Sequence, residues 1–244
     1  MSAPDLIQIA SDLESLEETI IVRLIDRAQY RRNETVYIPG KSGFRGEPVL
    51  SLFALRLKYQ EEMDARFGRF HVPEERPFNR DLPEVRREVT LPENCLHVPD
   101  YNLVNVTDGI INSYLRLLPK ICRTGDDSQY GSSVENDVYA IQAISRRIHY
   151  GAMYVAESKY RTNPDAYQRA IDNGDRATLL TLLTRPEVER QILQRVADKT
   201  ISMQASSKAT IRHAIDAAVI RDYYAAHVIP LTKEGEIRYL MHRR

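Results

Sequence analysis

Residues 138–160 read VYAIQAISRRIHYGAMYVAESKY, and the reading of this stretch decides the fold. It holds no proline and is rich in residues that tolerate a helix. Ile141, Ile144, Ile148 and Ala152 follow one another at spacings of three, four and four, the stripe of a buried helix. Arg146, Arg147 and Lys159 are set into the same segment. Cations beside a core stripe have two explanations. One is a solvated face whose aliphatic stems run along apolar surface. The other is a cation cluster aimed at an anionic ligand.

The rest of the chain repeats the helical period. Over residues 5–30, Leu6, Ile9, Leu13, Leu16, Ile20 and Leu24 step by three or four, while Asp12, Glu14, Glu17 and Glu18 fall elsewhere; Ser2 and Pro4 are start signals. Such a stripe needs a partner helix to bury it. Residues 31–48 carry Pro39, Gly40, Gly43, Gly46 and Pro48, which is loop chemistry. Gly40-Lys41-Ser42 is not a phosphate-binding loop: Thr35 sits where the motif needs glycine, and no strand leads in. A helix is predicted over 49–70 with Leu50, Phe53, Leu57 and Met63 on one side. Prolines at 73, 77, 83, 92 and 99 exclude a long helix and predict an ordered extended connection.

Beyond it, 102–118 reads as a helix stopped by Pro119, and 123–133 as a polar loop. Asn163-Pro164 breaks the chain after the central helix. Shorter helices are predicted over 164–172, 175–184 and 186–198, and a last one over 208–242, kinked or split at Pro230. No alternating strand pairs and no internal repeat are present, so the fold class is all-α. Several long stripes in one chain suggest completion of the core by dimerisation.

Composition bounds the function. The 244 residues allow one large domain or two small ones. Lys plus Arg equals Asp plus Glu at 34 each, which argues against a dedicated nucleic-acid binder. Cys95 and Cys122 have no metal-ligand spacing and are too few for a disulfide framework, so a reduced, cytoplasmic setting is expected. The first residues lack a basic leader and a long apolar core, unlike a signal peptide. No apolar run approaches the ~18 residues that span a bilayer, so no membrane association is expected. Six scattered histidines offer no metal-ligand pair, and His149 reads as a structural partner of the central helix. No G-x-S-x-G motif marks a serine hydrolase.

Near the C-terminus Thr232 and Glu236 lie four apart, on one face of a helix past Pro230. A carboxyl in an apolar pocket can keep its proton near neutral pH and donate a hydrogen bond. The other reading is a solvated helix in which Lys233, Glu234 and Glu236 face water.

Four ordered blocks carry a resemblance: LEETIIVRLIDRAQY at 16–30, ARFGRFHVPEERPF at 65–78, SRRIHYG with VAESKY at 145–160, and VIPLTKEGEIRYL at 228–240. Together they resemble the eukaryotic-type (AroQ-class) chorismate mutases over nearly the whole chain. The resemblance implies a single helical domain spanning residues 1–244, with about 8–12 helices and long loops, forming a homodimer. It implies a Claisen rearrangement of chorismate to prephenate, in phenylalanine and tyrosine biosynthesis, with no cofactor and no metal. The substrate is a small dicarboxylate, so the pocket needs cations. Its ether bond breaks in the transition state, so donors near that oxygen stabilise the developing charge. Carried over by position, Arg147 grips a carboxylate and Lys159 donates to the ether oxygen and a carboxylate. Glu189 takes the ring hydroxyl, and Thr232 and Glu236 match the threonine and ether-side glutamate of the last helix.

Three departures stand out. Ala10 occupies the position of a first-helix arginine that holds a carboxylate, and losing such a partner costs ~2–5 kcal/mol. Arg185 stands one turn before Glu189 where the family has asparagine; it either restores the missing charge or faces solvent. Arg147 and Lys159 are twelve residues apart, one more than in the family, so in a regular helix Ser158 would take the place of Lys159. A π-bulge in GAMY would absorb the extra residue. At the family's effector positions the chain has Gly68-Arg69, Gly131-Ser132 and Glu135, so Arg69, Gly131 and Ser132 are candidate effector contacts and control is either altered or absent. The second function the departures allow is a retained scaffold with a rebuilt pocket, binding another ligand, regulating a partner or catalysing a different reaction.

Overall fold

The computed structural model describes residues 6–206 and 211–244; the start signals Ser2 and Pro4 lie outside them. Among the described residues there are ten α-helices and no strand. They are α1 (Leu6–Ala28), α2 (Leu52–Arg66), α3 (Thr107–Ile121), α4 (Tyr130–Tyr150), α5 (Ala156–Thr162), α6 (Pro164–Asp172), α7 (Arg176–Leu183), α8 (Pro186–Ser206), α9 (Ala217–Tyr223) and α10 (Ile229–His242). None is long and apolar enough to cross a membrane.

Two pairs are continuous rods. A π-helical turn over Gly151–Val155 joins α4 to α5, and a second over Tyr224–Val228 joins α9 to α10. The central rod carries the predicted stripe: Ile141, Ile144, Ile148 and Ala152 are fully buried. α1 packs along α4, while α2, α3 and α10 also lie against it. The main core is built from α1, α3, α4 and α9 residues such as Ile20, Leu24, Ile110, Leu118, Ile144 and Tyr223. A second cluster gathers α5, α6, α7 and α10 around Ala156, Tyr167, Leu179 and Leu240.

Charged groups lie inside this core. Arg27 and Asp137 are fully buried and pair at 2.5 Å, and Tyr37 and Tyr114 each donate to the Asp137 carboxylate at 2.7 Å. Arg27 also donates to the carbonyls of Arg31 and Arg32, closing the turn after α1.

Several boundaries differ from expectation. Pro119 does not stop α3, which runs on to Ile121. α8 extends past 198 to Ser206. The helix predicted from 208 begins at Ala217, after an extended stretch capped by Asp216, whose side chain accepts from the Ala218 N–H. Residues 207–210 of that expectation lie outside the described residues. Met63 faces solvent, and Leu50 lies before the start of α2 at Leu52. Pro230 does not split the last rod: it is the second residue of α10, directly after the π-turn.

Candidate active site

One cavity of about 480 Å³ opens between the first half of α1, the π-turn after α4, α5, the α7–α8 junction and the start of α10. Arg147, Lys159, Arg185, Glu189, Thr232 and Glu236 all line it.

Lys159 reaches the cavity through the π-turn. Twelve residues of regular helix would rotate it about a third of a turn away from Arg147, at ~100° per residue. The wide turn at Gly151–Val155 takes up the extra residue. Lys159 Nζ then donates to Leu183 O at 2.7 Å and to Glu236 Oε1 at 3.1 Å. The neighbouring Ser158 also lines the cavity instead of displacing the lysine. Two glycines let α10 lie against the π-turn. A Cβ on Gly235 would meet Ala152 Cβ at 2.6 Å, and one on Gly151 would meet Thr232 Cγ2 at 3.0 Å.

Glu236 is 3% exposed. Burial raises its pKa above the usual carboxylate range, against the pull of Lys159, Lys233 and Arg147. It is therefore suited to carry a proton and donate it in a hydrogen bond.

Arg147 is equally buried. Its Nη1 donates to Thr232 Oγ1 at 3.2 Å, its Nη2 to Glu17 Oε1 at 3.3 Å, and its guanidinium lies over the Tyr224 ring. Its Nε is buried without a hydrogen-bond partner, an unmet donor in the core beside the cavity. Arg195 on α8 grips the same Glu17 through two bonds at 2.9 and 3.0 Å, so the carboxylate is shared and Arg147 is only loosely held.

Glu17 and Arg195 are the functional neighbours that the sequence reading missed. Glu17 was assigned off the α1 stripe, yet it is fully buried. Its position gave the signal: it lies four residues after Leu13 and three before Ile20, on the stripe itself. Arg195 gave no such signal.

The other walls complete the chemistry. Glu189 accepts from Lys233 Nζ at 2.7 Å, so Lys233 also belongs to the cavity instead of facing water. Ala10 lies on an apolar α1 wall with Leu6, Ile9 and Leu13. Arg185 Nη1 donates to Leu182 O at 2.8 Å and Thr184 O at 3.0 Å.

Residues outside the cavity sort themselves by their partners. Arg146 points the other way and pairs with Glu74 and Glu75, so the two arginines of the central stretch divide between solvated face and ligand cluster. His149 is structural, as expected. Its Nε2 accepts from the Val106 N–H, its Nδ1 donates to Ser145 O, and burial lowers its pKa to about 3.

The candidate effector residues are separated within one chain. Arg69 donates to Asp64, Glu75 and Gln142, whereas Gly131 and Ser132 lie in the first turn of α4. Ten residues of helix between Ser132 and Gln142 amount to about 15 Å. Glu135 pairs with Arg56 at 3.4 Å.

Fold and site together define a class: an all-helical protein with a core cavity lined by two arginines, two lysines and a buried acid. No family model matches the chain. Known proteins do. It is 36% identical to the chloroplastic chorismate mutase 1 of Petunia hybrida over 243 residues, covering 93% of this chain and 72% of the relative. It is 35% identical to the chorismate mutase of Emericella nidulans over 252 residues, covering 99% and 93%. The crystal structure of the Candida albicans chorismate mutase in complex with L-Trp superposes with a TM-score of 0.90 at 30% identity, covering 98% of this chain and 91% of that one. The chain belongs to the chorismate mutase family, isomerases of aromatic amino acid biosynthesis.

Proposed function

We propose that this cavity binds chorismate and holds it in the compact, chair-like form that rearranges to prephenate. All bonds form and break within one molecule, so the reading assigns no cofactor. Arg147 takes one carboxylate, and Thr232 steadies it. Lys159 donates to the ether oxygen as the C–O bond breaks, and protonated Glu236 donates to the same oxygen. Glu189 accepts from the ring hydroxyl. Positioning supplies one part of the acceleration and stabilisation of developing charge the other.

The observation that carries this reading is the convergence of Arg147, Lys159 and Glu236 on one hollow. The test is purified protein with chorismate, followed by loss of substrate absorbance. No turnover above buffer by the folded protein would overturn it.

The raised pKa of Glu236 gives a second expectation. If the protonated form is the donor, activity is full below that pKa and falls as pH rises through it. Glu236→Gln donates at every pH, so its profile should lose the alkaline limb while the parent keeps it. Parallel profiles for the two proteins would rule out this role.

We also propose a homodimeric, single-domain, cytoplasmic enzyme. α2 leaves Tyr59, Met63 and Phe67 exposed at spacings of four, with Phe44 and Val49 nearby. Such a stripe on one helix suits an isologous contact with a second copy. Phe67→Glu is expected to shift the mass in solution from two chains to one, read by light scattering. A dimer unchanged by that substitution would place the interface elsewhere. The two cysteines, Cys95 and Cys122, are free thiols, which suits a reducing compartment.

A further inference from the structure

We infer that Arg185 is the cation for the second carboxylate of the substrate, and that the positive charge absent from the α1 wall has moved to the α7–α8 junction. This rests on the mutase reading above and assigns the half of the dianion that Arg147 leaves unmatched.

Four cations line the cavity: Arg147, Lys159, Arg185 and Lys233. Three already meet an acidic side chain. Arg147 meets Glu17 at 3.3 Å, Lys159 meets Glu236 at 3.1 Å, and Lys233 meets Glu189 at 2.7 Å. Arg185 faces only carbonyls, Leu182 O and Thr184 O. Among the described residues it is the lining cation without an acidic partner. Among the described residues, the α1 wall of Leu6, Ile9, Ala10 and Leu13 holds no charge. A dianion entering a cavity with that wall is costly unless each of its carboxylates meets a donor.

The way Arg185 is held suits this task. Both carbonyl bonds are made by Nη1, which leaves Nε–H and the Nη2 protons as an open side-on fork. That fork matches the two oxygens of a carboxylate. The carbonyls accept from the back of the guanidinium and fix its plane in advance, so less side-chain freedom is lost on binding. Lys159 is held to the same junction through Leu183 O, which places the two cations on adjacent residues of one support. The second carboxylate is therefore clasped from the α7–α8 side, near Lys159, and not from α1.

The experiment compares the full-length protein with Arg185→Ala, Arg185→Lys and Ala10→Arg/Arg185→Ala. The probes are chorismate turnover and calorimetric binding of two bicyclic ethers that mimic the chair-like transition state. One ether carries both carboxylates and the other only the carboxylate assigned to Arg147. Arg185→Ala is expected to weaken the dicarboxylate roughly ten- to a hundredfold and to raise KM more than it lowers kcat. Arg185→Lys recovers only part, because a point charge cannot make the fork. The monocarboxylate binds the parent and Arg185→Ala equally. Ala10→Arg in the Arg185→Ala background regains at least tenfold, from the α1 wall. Equal dicarboxylate affinity in parent and Arg185→Ala, with turnover intact, overturns the assignment of Arg185 and leaves the mutase reading standing. Equal weakening of both ethers overturns it too, since the effect would not be tied to the second carboxylate. A parent protein that neither binds the dicarboxylate nor turns over chorismate overturns both readings together. Arg185 is exposed, so thermal melting of the variants should match the parent, and any loss of binding is then local.

Discussion

Lys159→Met is expected to lower kcat by roughly two to three orders of magnitude, the usual consequence of removing one donor aimed at developing negative charge. Methionine keeps the length and apolar stem of lysine and removes the charge. The ether oxygen would then have Glu236 as its sole donor. Glu236 itself should hold its proton more firmly, because Lys159 is the largest influence opposing its burial. Stability should move by less than ~1 kcal/mol, since Lys159 is partly exposed and its ion pair is only one contact. Steady-state kinetics on chorismate beside a thermal melt checks both halves. A loss below about fivefold would remove Lys159 from the transition state.

The largest effect on folding is expected at Asp137. Asp137→Ala leaves Arg27 charged, fully buried and without its carboxylate, and withdraws the acceptor of Tyr37 and Tyr114. Breaking a buried pair from one side costs ~3–5 kcal/mol. For a chain of this size that is about 6–20 °C in melting temperature. Replacing both partners, as in Arg27→Met with Asp137→Leu, should cost much less, because no charge is stranded. Calorimetry on the single and double variants decides it. A single variant that melts within ~2 °C of the parent would show that the network is not a source of stability. The cavity meets α4 only near its C-terminal end, at Arg147, ten residues or about 15 Å along from Asp137, so both variants should keep mutase activity at temperatures where they are folded.

How much of this was legible in advance follows from the kind of interaction involved. The buried stripe of α4 could be read because helical period is a property of neighbours three and four residues apart. The cavity residues Arg147, Lys159, Thr232 and Glu236 could be named from the four ordered blocks and Glu189 by its position in the family pattern between them, and all of them line one hollow. Glu17 could not be separated from its acidic neighbours by charge alone. Its place on the α1 stripe marks it for burial, but the partner that lets a carboxylate be buried there is Arg195, which lies far along the chain and meets it only after α8 packs on α1. Arg146 and Arg147 are adjacent in sequence, yet one pairs with Glu74 and Glu75 at the surface and the other lines the cavity. The difference is the ~100° between successive helical residues, which has meaning only once the neighbours of α4 are in place.

The sequence by itself determined that the chain is helical, where its long stripes run, and which family pattern it keeps. Those are matters of local spacing and of residue identity. It also revealed that one residue too many lies between Arg147 and Lys159. Only the tertiary structure decided what becomes of that residue. α10 lies against Gly151 and Ala152 across two positions without side chains, and Lys159 is bonded to Leu183 and Glu236 on other elements. A widened turn costs the helix some regularity locally, and those distant contacts hold it in place.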